Sequence, residues 1–260
     1  MTFDVDGAAY QRFMGAFSDL LSAPFADLAG VRAGSGQRAA DVGCGTGALS
    51  AELVGRLGPG AVVAADPSPS FVTAARERLP GVDVSEAAAE QLPWEDSEFD
   101  VTLAQLVVHF MADPGAGLRE MVRVTRPGGV VAATVWDFGG ARAPLSTFWR
   151  AVRDLDPDAA TEDALTGARS GDLVTLLRDA GLRDVEQAEL HVSRAYPGFD
   201  AWWETYTLGV GPAGDHVAKL DAMARTRLRE RCRESLPTGP FTIDAVAWAA
   251  RGVRRPNGHN

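Results

Sequence analysis

The stretch "RAADVGCGTGALSAELVGRLG", residues 38–58, decides the fold. It opens with a short, mostly apolar run. Three glycines follow at alternate positions, Gly43, Gly45 and Gly47 in "DVGCGTG" (41–47). Leu49, Leu53, Val54 and Leu57 then recur at helical spacing, with Gly58 as a stop. The order is strand, glycine loop, helix. Glycine loses more backbone freedom on folding than any other residue, so such a loop has to hold something that a side chain would obstruct. A ligand approached closely by the backbone, with helix N–H groups aimed at it, meets that requirement.

The same alternation continues outward. "AVVAAD" (61–66) reads as a compact buried strand. Ser68 is the N-cap of the next helix, with Pro69 at its first position and Val72, Ala75 and Leu79 on its inner face. "VDVSEA" (82–87) and "FDVTLAQLVV" (99–108) read as two more strands. Asp113 caps a helix that starts at Pro114 and turns Leu118, Met121 and Val122 to the core. "RPGG" (126–129) reads as a tight turn before a fifth strand, "VVAATVW" (130–136). Continuous apolar strands separated by amphipathic helices imply a parallel sheet covered on both faces, an α/β fold. Ligands of such sheets sit beyond the carboxyl ends of the strands. The glycine loop, Asp66 and the segment from Gln105 to His109 all lie at such ends.

After Trp136 the pattern changes. "APLSTFWRAVRDL" (143–155) is amphipathic, and "DLVTLLRDAGLRDV" (172–185) reads as the last core helix, stopped at Gly181. "EQAELHVSRA" (186–195) and "PFTIDAVAWAARGV" (240–253) read as closing strands. Residues 197–237 form an insertion containing Trp202, Trp203 and Tyr206. Within it Val217, Leu220, Ala224, Leu228 and Cys232 are expected on one helix face, leaving the arginines of "RTRLRERCRE" (225–234) to solvent.

Bulk properties bound the function. With 260 residues, the chain suffices for one large domain or a domain with a small appendage. A formal charge of −10 argues against a nucleic-acid partner, which calls for a basic field. No apolar run approaches the roughly 18 residues that span a bilayer, and "MTFDVDGAAYQRF" does not read as a signal peptide. Two cysteines, Cys44 and Cys232, make a disulfide framework unexpected and a reducing cytoplasm the default. The histidines show no metal-ligand spacing.

Residues 43–48 also read as G-x-G-x-x-A, so from the residues alone the loop suits a nicotinamide dinucleotide or S-adenosylmethionine, and Asp66 at the end of strand two serves a ribose diol in both. Three features favour the second. Asp41 precedes the first glycine by two residues, as in D-x-G-x-G-x-G. "AAEQLPWEDSEFD" (88–100) stands between strands three and four, and "REMVRVTRPGG" (119–129) leads into strand five. Together these resemble the class I S-adenosylmethionine-dependent methyltransferases, particularly the small-molecule branch that includes the ubiquinone and menaquinone biosynthesis enzymes. The resemblance covers about residues 10–137.

The resemblance implies a Rossmann-like, doubly wound, mostly parallel seven-stranded sheet with an antiparallel C-terminal hairpin and helical lid insertions. It implies one methyltransferase domain: an N-terminal helical cap (1–37), a cofactor-binding core (38–137), and insertions at 138–170 and 197–237 over the substrate. Asp41, Gly43, Gly45 and Gly47 match the loop that holds the methionine end of the cofactor. Asp66 matches the acid on the ribose hydroxyls, with Pro67 beside the adenine. Ala89 and Glu90 match the loop that reads the adenine edge, and Gln105 a position near the methionine portion. Tyr10 resembles an aromatic that closes over the site. Ala88 departs from the Asp that the family often carries there.

The reaction so implied is methyl transfer to a small-molecule acceptor. The alternatives are a nicotinamide-dependent oxidoreductase and a protein that binds the cofactor without transferring its methyl. No metal and no membrane partner are expected; the atom methylated and the oligomeric state are left open. His109 is the candidate general base or substrate contact, the alternative being a half-buried histidine with an ordinary hydrogen bond. Trp149 and Trp203 are the candidate contacts to an apolar or aromatic acceptor, the alternative being a satellite core beneath the insertions.

Overall fold

The computed structural model describes residues 7–256; residues 1–6 of the expected cap, the start of the segment that does not read as a signal peptide, lie outside the described residues. The seven strands are β1 (Ala39–Val42), β2 (Val62–Asp66), β3 (Asp83–Glu86), β4 (Phe99–Gln105), β5 (Thr125–Trp136), β6 (Arg183–Tyr196) and β7 (Phe241–Val253). They lie side by side in the order β3-β2-β1-β4-β5-β7-β6. The first five are parallel, β7 pairs antiparallel with β5, and β6 antiparallel with β7. Strand order reverses between β1 and β4, which puts the crevice for a ligand beyond Val42 and Gln105.

Helices cover both faces because their apolar stripes have nowhere else to go. α1 (Gly7–Tyr10), a π-helical stretch (Gln11–Gly15) and α2 (Ala16–Leu28) run on as one rod, and α2 buries Phe17, Leu21 and Phe25. α3 (Ala48–Leu57) buries Leu49 and Leu53. α4 (Pro69–Arg78) starts at Ser68, whose side chain accepts the Phe71 N–H, and α5 (Pro114–Val124) at Asp113, which accepts the Ala116 N–H at 2.9 Å. α6 (Ser146–Leu155) and α7 (Asp172–Asp179) follow β5. α8 (Phe199–Tyr206), α9 (Gly211–Lys219) and α10 (Ala222–Glu234) fill the connection between β6 and β7. No helix among the described residues is long and apolar enough to cross a membrane.

Three local expectations change. β4 ends at Gln105 rather than Val108: Leu106 takes a positive φ of 63°, and Val108–Phe110 make a 3-10 turn. "RPGG" lies inside β5 as a bulge, where β4 partners shift from Phe99–Thr125 to Val101–Val130. The Gly128 N–H and Gly129 carbonyl pair with Arg254, so the backbone keeps its hydrogen bonds while it bends. The continuous apolar face over 217–232 is divided between α9 and α10, because Asp221 caps a new helix on the Ala224 N–H.

Candidate functional site

The three glycines of the loop after β1 answer to three different constraints. A Cβ on Gly43 would lie 2.4 Å from Val107, so this residue admits the turn that follows β4. Gly45 has φ +55° and nothing within 4 Å of its Cβ position; it faces the open cavity. Gly47 does not line the cavity: it enters α3 with φ +84°, and a Cβ would meet Leu79 of the neighbouring helix connection at 2.7 Å. The loop is stitched to β2, with the Gly43 and Cys44 N–H groups on the Ala65 carbonyl at 2.7 and 3.0 Å and the Gly45 N–H on Asp66 Oδ2 at 2.9 Å.

Beyond this loop lies a cavity of about 300 Å³. Tyr10, Asp41, Gly43, Gly45, Asp66, Pro67, Ala89, Glu90 and Gln105 line it, as does Ala88. Sequence reasoning missed Ser18, Thr46, Leu49 and Phe71 and, from the turn after β4, the lining residues Leu106, Val107, Phe110, Met111 and Ala112. The positive φ at Leu106 aims that turn into the cavity, and a lone leucine carries no signal of it. The helical rod 7–28 closes the opposite side. Thr46 Oγ1 donates to Gln11 Oε1 at 3.1 Å, Gln105 Nε2 donates to the Ser18 carbonyl at 3.0 Å, and Tyr10 packs against Phe71 with ring centroids 5.0 Å apart.

The acids in this wall have different tasks. Asp41, 1% exposed, accepts the Ser50 hydroxyl on Oδ2 at 2.6 Å and leaves Oδ1 buried without a partner. Burial pushes its pKa up to about 7 against the Ser50 hydrogen bond. Asp66 spends both oxygens on the backbone, Oδ2 on Gly45 and Oδ1 on the Ser68 N–H at 2.9 Å, and burial raises its pKa as well. It therefore braces the loop, a duty the sequence did not disclose. Glu90 accepts the Asp113 N–H at 3.0 Å and ties the β3–β4 connection to α5.

His109 stands outside this cavity, in the wall of a smaller one. Tyr10, Leu106 and Phe110 line both. Burial pushes the His109 pKa down to about 3, so the ring is neutral at pH 7 and a weak proton acceptor; its Nδ1 has no partner. Its ring lies against Phe110 at 3.9 Å between centroids.

Trp149 and Trp203 line neither of these cavities. Trp149 is 4% exposed, and its Nε1 donates to Glu162 Oε2 at 2.6 Å. Trp203 stacks on Phe199 at 6.3 Å, while Phe148 stacks on Tyr206 at 4.5 Å. The amphipathic faces of α6 and α8 pack into one core, so the acceptor contacts expected of these two tryptophans are replaced by contacts to each other's neighbours. After β5, Asp137 accepts Gly140 N–H at 2.8 Å and Arg142 Nε at 2.5 Å, and Arg142 reaches Glu189 at 2.8 Å, fixing the start of the connection to α6.

The larger cavity fits the cofactor that the resemblance implies. Asp41 Oδ1 and Gln105 Oε1 are buried acceptors without donors, which suits the ammonium of its methionine end. No Lys, Arg or His lines the cavity, whereas Asp41, Asp66 and Glu90 do. That charge balance suits a cationic sulfonium and opposes the diphosphate of a dinucleotide. Among the described residues no group of three or more His, Cys, Asp or Glu is placed to hold a metal.

Comparison with known proteins agrees with this geometry. Residues 40–133 match the family described as methyltransferase domain. The chain is 36% identical over 110 residues to a ubiquinone/menaquinone biosynthesis C-methyltransferase of Pseudomonas putida, covering 40% of this chain and 42% of that one. It is 34% identical over 117 residues to a malonyl-[acyl-carrier protein] O-methyltransferase of Serratia marcescens, covering 45% of each. The YcgJ protein of Bacillus subtilis has the same fold, with TM-score 0.56 and 18% identity over 93% of this chain and all of that one. The chain spans between about two fifths and three fifths of the length of the curated relatives it matches. The strand order and the glycine loop agree with that match: residues 40–133 are similar to a methyltransferase domain of the class I, S-adenosylmethionine-dependent type.

Proposed function

We propose that the protein transfers a methyl group from S-adenosylmethionine to a small-molecule acceptor. The observation that carries this reading is the charge of the larger cavity, lined by Asp41, Asp66 and Glu90 with no cationic side chain. When bound, S-adenosylmethionine supplies an electrophilic sulfonium methyl, so the protein's work is alignment and exclusion of water.

In this reading Asp41 and Gln105 accept the ammonium of the methionine end. Gly43 and Gly45 let the backbone pass close to it. Asp66 holds the loop through Gly45 and offers its remaining lone pairs to the ribose, and Pro67, Ala89 and Glu90 border the adenine. With Ala88 in place of an acid, the adenine edge is read by backbone on that side. Tyr10 and Ser18, from the rod 7–28, close over the cofactor. Residues 38–137 hold the cofactor, while the insertions reach an apolar acceptor through Phe138, Leu145 and Val210. Both cysteines are free and buried, in keeping with a cytoplasmic location.

Calorimetry tests the reading. S-adenosylmethionine and S-adenosylhomocysteine are expected to bind and NAD not to. Binding of NAD without either sulfur ligand would end it. Formation of S-adenosylhomocysteine in a metabolite screen separates catalysis from cofactor binding alone.

A further inference from the structure

The smaller cavity measures about 50 Å³. One water-sized group needs roughly 10–15 Å³, so this space takes a few heavy atoms, the end of a molecule rather than a whole one. It adjoins the larger cavity, with Tyr10, Leu106 and Phe110 lining both. Its apolar wall includes Phe13, Met14, Trp136, Phe138, Leu145 and Val210. Such a wall suits a ring or a short apolar chain.

Three polar side chains interrupt it. Trp136 is 2% exposed and its Nε1 has no partner; His109 Nδ1 has none either. Glu162, on the 3-10 turn Glu162–Ala164, is 4% exposed. Its Oε2 is fixed by the Trp149 N–H at 2.6 Å, and Oε1 accepts no hydrogen bond among the described residues. Buried polar atoms are ordinarily paired. Apart from Trp248 Nε1 and Arg251 Nε on β7, the unpaired buried side-chain atoms among the described residues all belong to the walls of these two cavities. A carboxylate with one oxygen held by a buried indole and the other unbonded has room for a donor, and neither Trp136 Nε1 nor His109 in the same wall is hydrogen-bonded to it.

We propose that the smaller cavity receives the reacting end of the methyl acceptor, an aromatic or short apolar group bearing a hydroxyl or amine, and that Glu162 accepts the hydrogen bond of that group. This rests on the methyl-transfer reading and adds the chemical class of the acceptor. Trp149 acts as a positioning residue, holding the carboxylate in one orientation. Trp136 Nε1 offers the complementary donor to the same group, so a hydroxyl or neutral amine is paired on both sides. An acceptor of the same shape without a donor leaves Glu162 buried and unpaired, and this is the basis of discrimination.

The test uses the full chain saturated with S-adenosylhomocysteine, with phenol, aniline and toluene as probes and binding followed by NMR of the tryptophan indole N–H signals. Phenol or aniline is expected to bind about tenfold or more tightly than toluene, the scale of one hydrogen bond to a charged group. The Trp136 and Trp149 indole signals, assigned by Trp136→Phe and Trp149→Phe, are expected to shift. Glu162→Gln keeps an oxygen for the Trp149 N–H and should cut the preference for phenol while leaving S-adenosylhomocysteine affinity unchanged. Trp149→Phe, which frees the carboxylate, should weaken the preference in part. Equal binding of phenol and toluene, binding of neither, or shifts confined to other tryptophans overturns the proposal. If S-adenosylhomocysteine itself fails to bind, it is the methyl-transfer reading that falls.

Discussion

The two cavities that meet at Tyr10, Leu106 and Phe110 are drawn from different parts of the fold. The larger is lined mainly from the strand ends of the sheet: the glycine loop, the end of β2, the turn after β4 and the β3–β4 connection. The smaller is lined from the N-terminal rod, the turn after β4, the end of β5 and both insertions. A site at strand ends follows from the fold, because topology alone brings the strand ends together. A site lined from insertions is set residue by residue, and in the proposed reading it is there that one domain type takes different acceptors. The relatives illustrate this, one named for transfer to carbon and another for transfer to oxygen.

The contrast breaks first at the tryptophans. If Trp149 is core, Trp149→Ala should cost about 3–5 kcal/mol of stability through the cavity it leaves. It should leave S-adenosylhomocysteine affinity unchanged. Urea unfolding and calorimetry on the same variant decide this. A loss of cofactor affinity with unchanged stability would place Trp149 in the larger site after all.

A sharper comparison lies within the glycine loop. Gly43→Ala would drive a Cβ to 2.4 Å from Val107 at a left-handed φ. Strain and overpacking together should cost about 2–4 kcal/mol, and the cofactor should no longer bind. Gly45→Ala meets no atom within 4 Å and should cost only about 1–2 kcal/mol of stability, from its left-handed φ. Its methyl group would nonetheless stand in the cavity, so cofactor affinity should fall while the fold persists. Parallel losses of stability and binding in both variants would show the loop to be structural throughout. Asp66→Ala belongs with Gly43 here: it removes the acceptor of two buried N–H groups, at Gly45 and Ser68, so stability and binding should fall together by about 2–3 kcal/mol.

The same division explains what was legible in the sequence. Asp41, Gly43, Gly45, Asp66 and Gln105 sit at strand ends that hydrophobic periodicity locates, and the structure brings them to one wall. Periodicity also showed that α6 buries one face, but not against what, and the aromatics of the insertion at 197–237 marked no partner either. Trp149 and Trp203 therefore read equally as lid or core, and tertiary packing chose core. Glu162 was invisible because an acid in "TEDAL" looks solvated until the 3-10 turn buries it beneath Trp149. Gly47 carried the right residue type for a different reason, the approach of Leu79.

The smallest expected effect concerns a proton on Asp41. In the ligand-free protein burial holds its pKa near 7, above the ordinary carboxylate range, so at pH 7 the native state keeps about half a proton that the unfolded chain has released. Asp41 thus contributes stability that is present below pH 4 and lost as pH rises through 7. Glu162, also raised to about 7 by burial, acts in the same direction; His109, lowered to about 3, acts oppositely, its contribution being lost as pH falls from about 6.5 towards 3. An ammonium placed on Oδ1 favours the ionised carboxylate and drives the Asp41 proton off. Binding of S-adenosylhomocysteine at pH 7 should then release about half a proton, the fraction bound at a pKa near 7. Calorimetry in buffers of different ionisation enthalpy measures this directly. Asp41→Asn should abolish the release, whereas Glu162→Gln should retain it, because the acid of the smaller cavity does not meet the ammonium. Release that survives Asp41→Asn would move the methionine end of the cofactor away from Asp41 and leave Oδ1 without its donor.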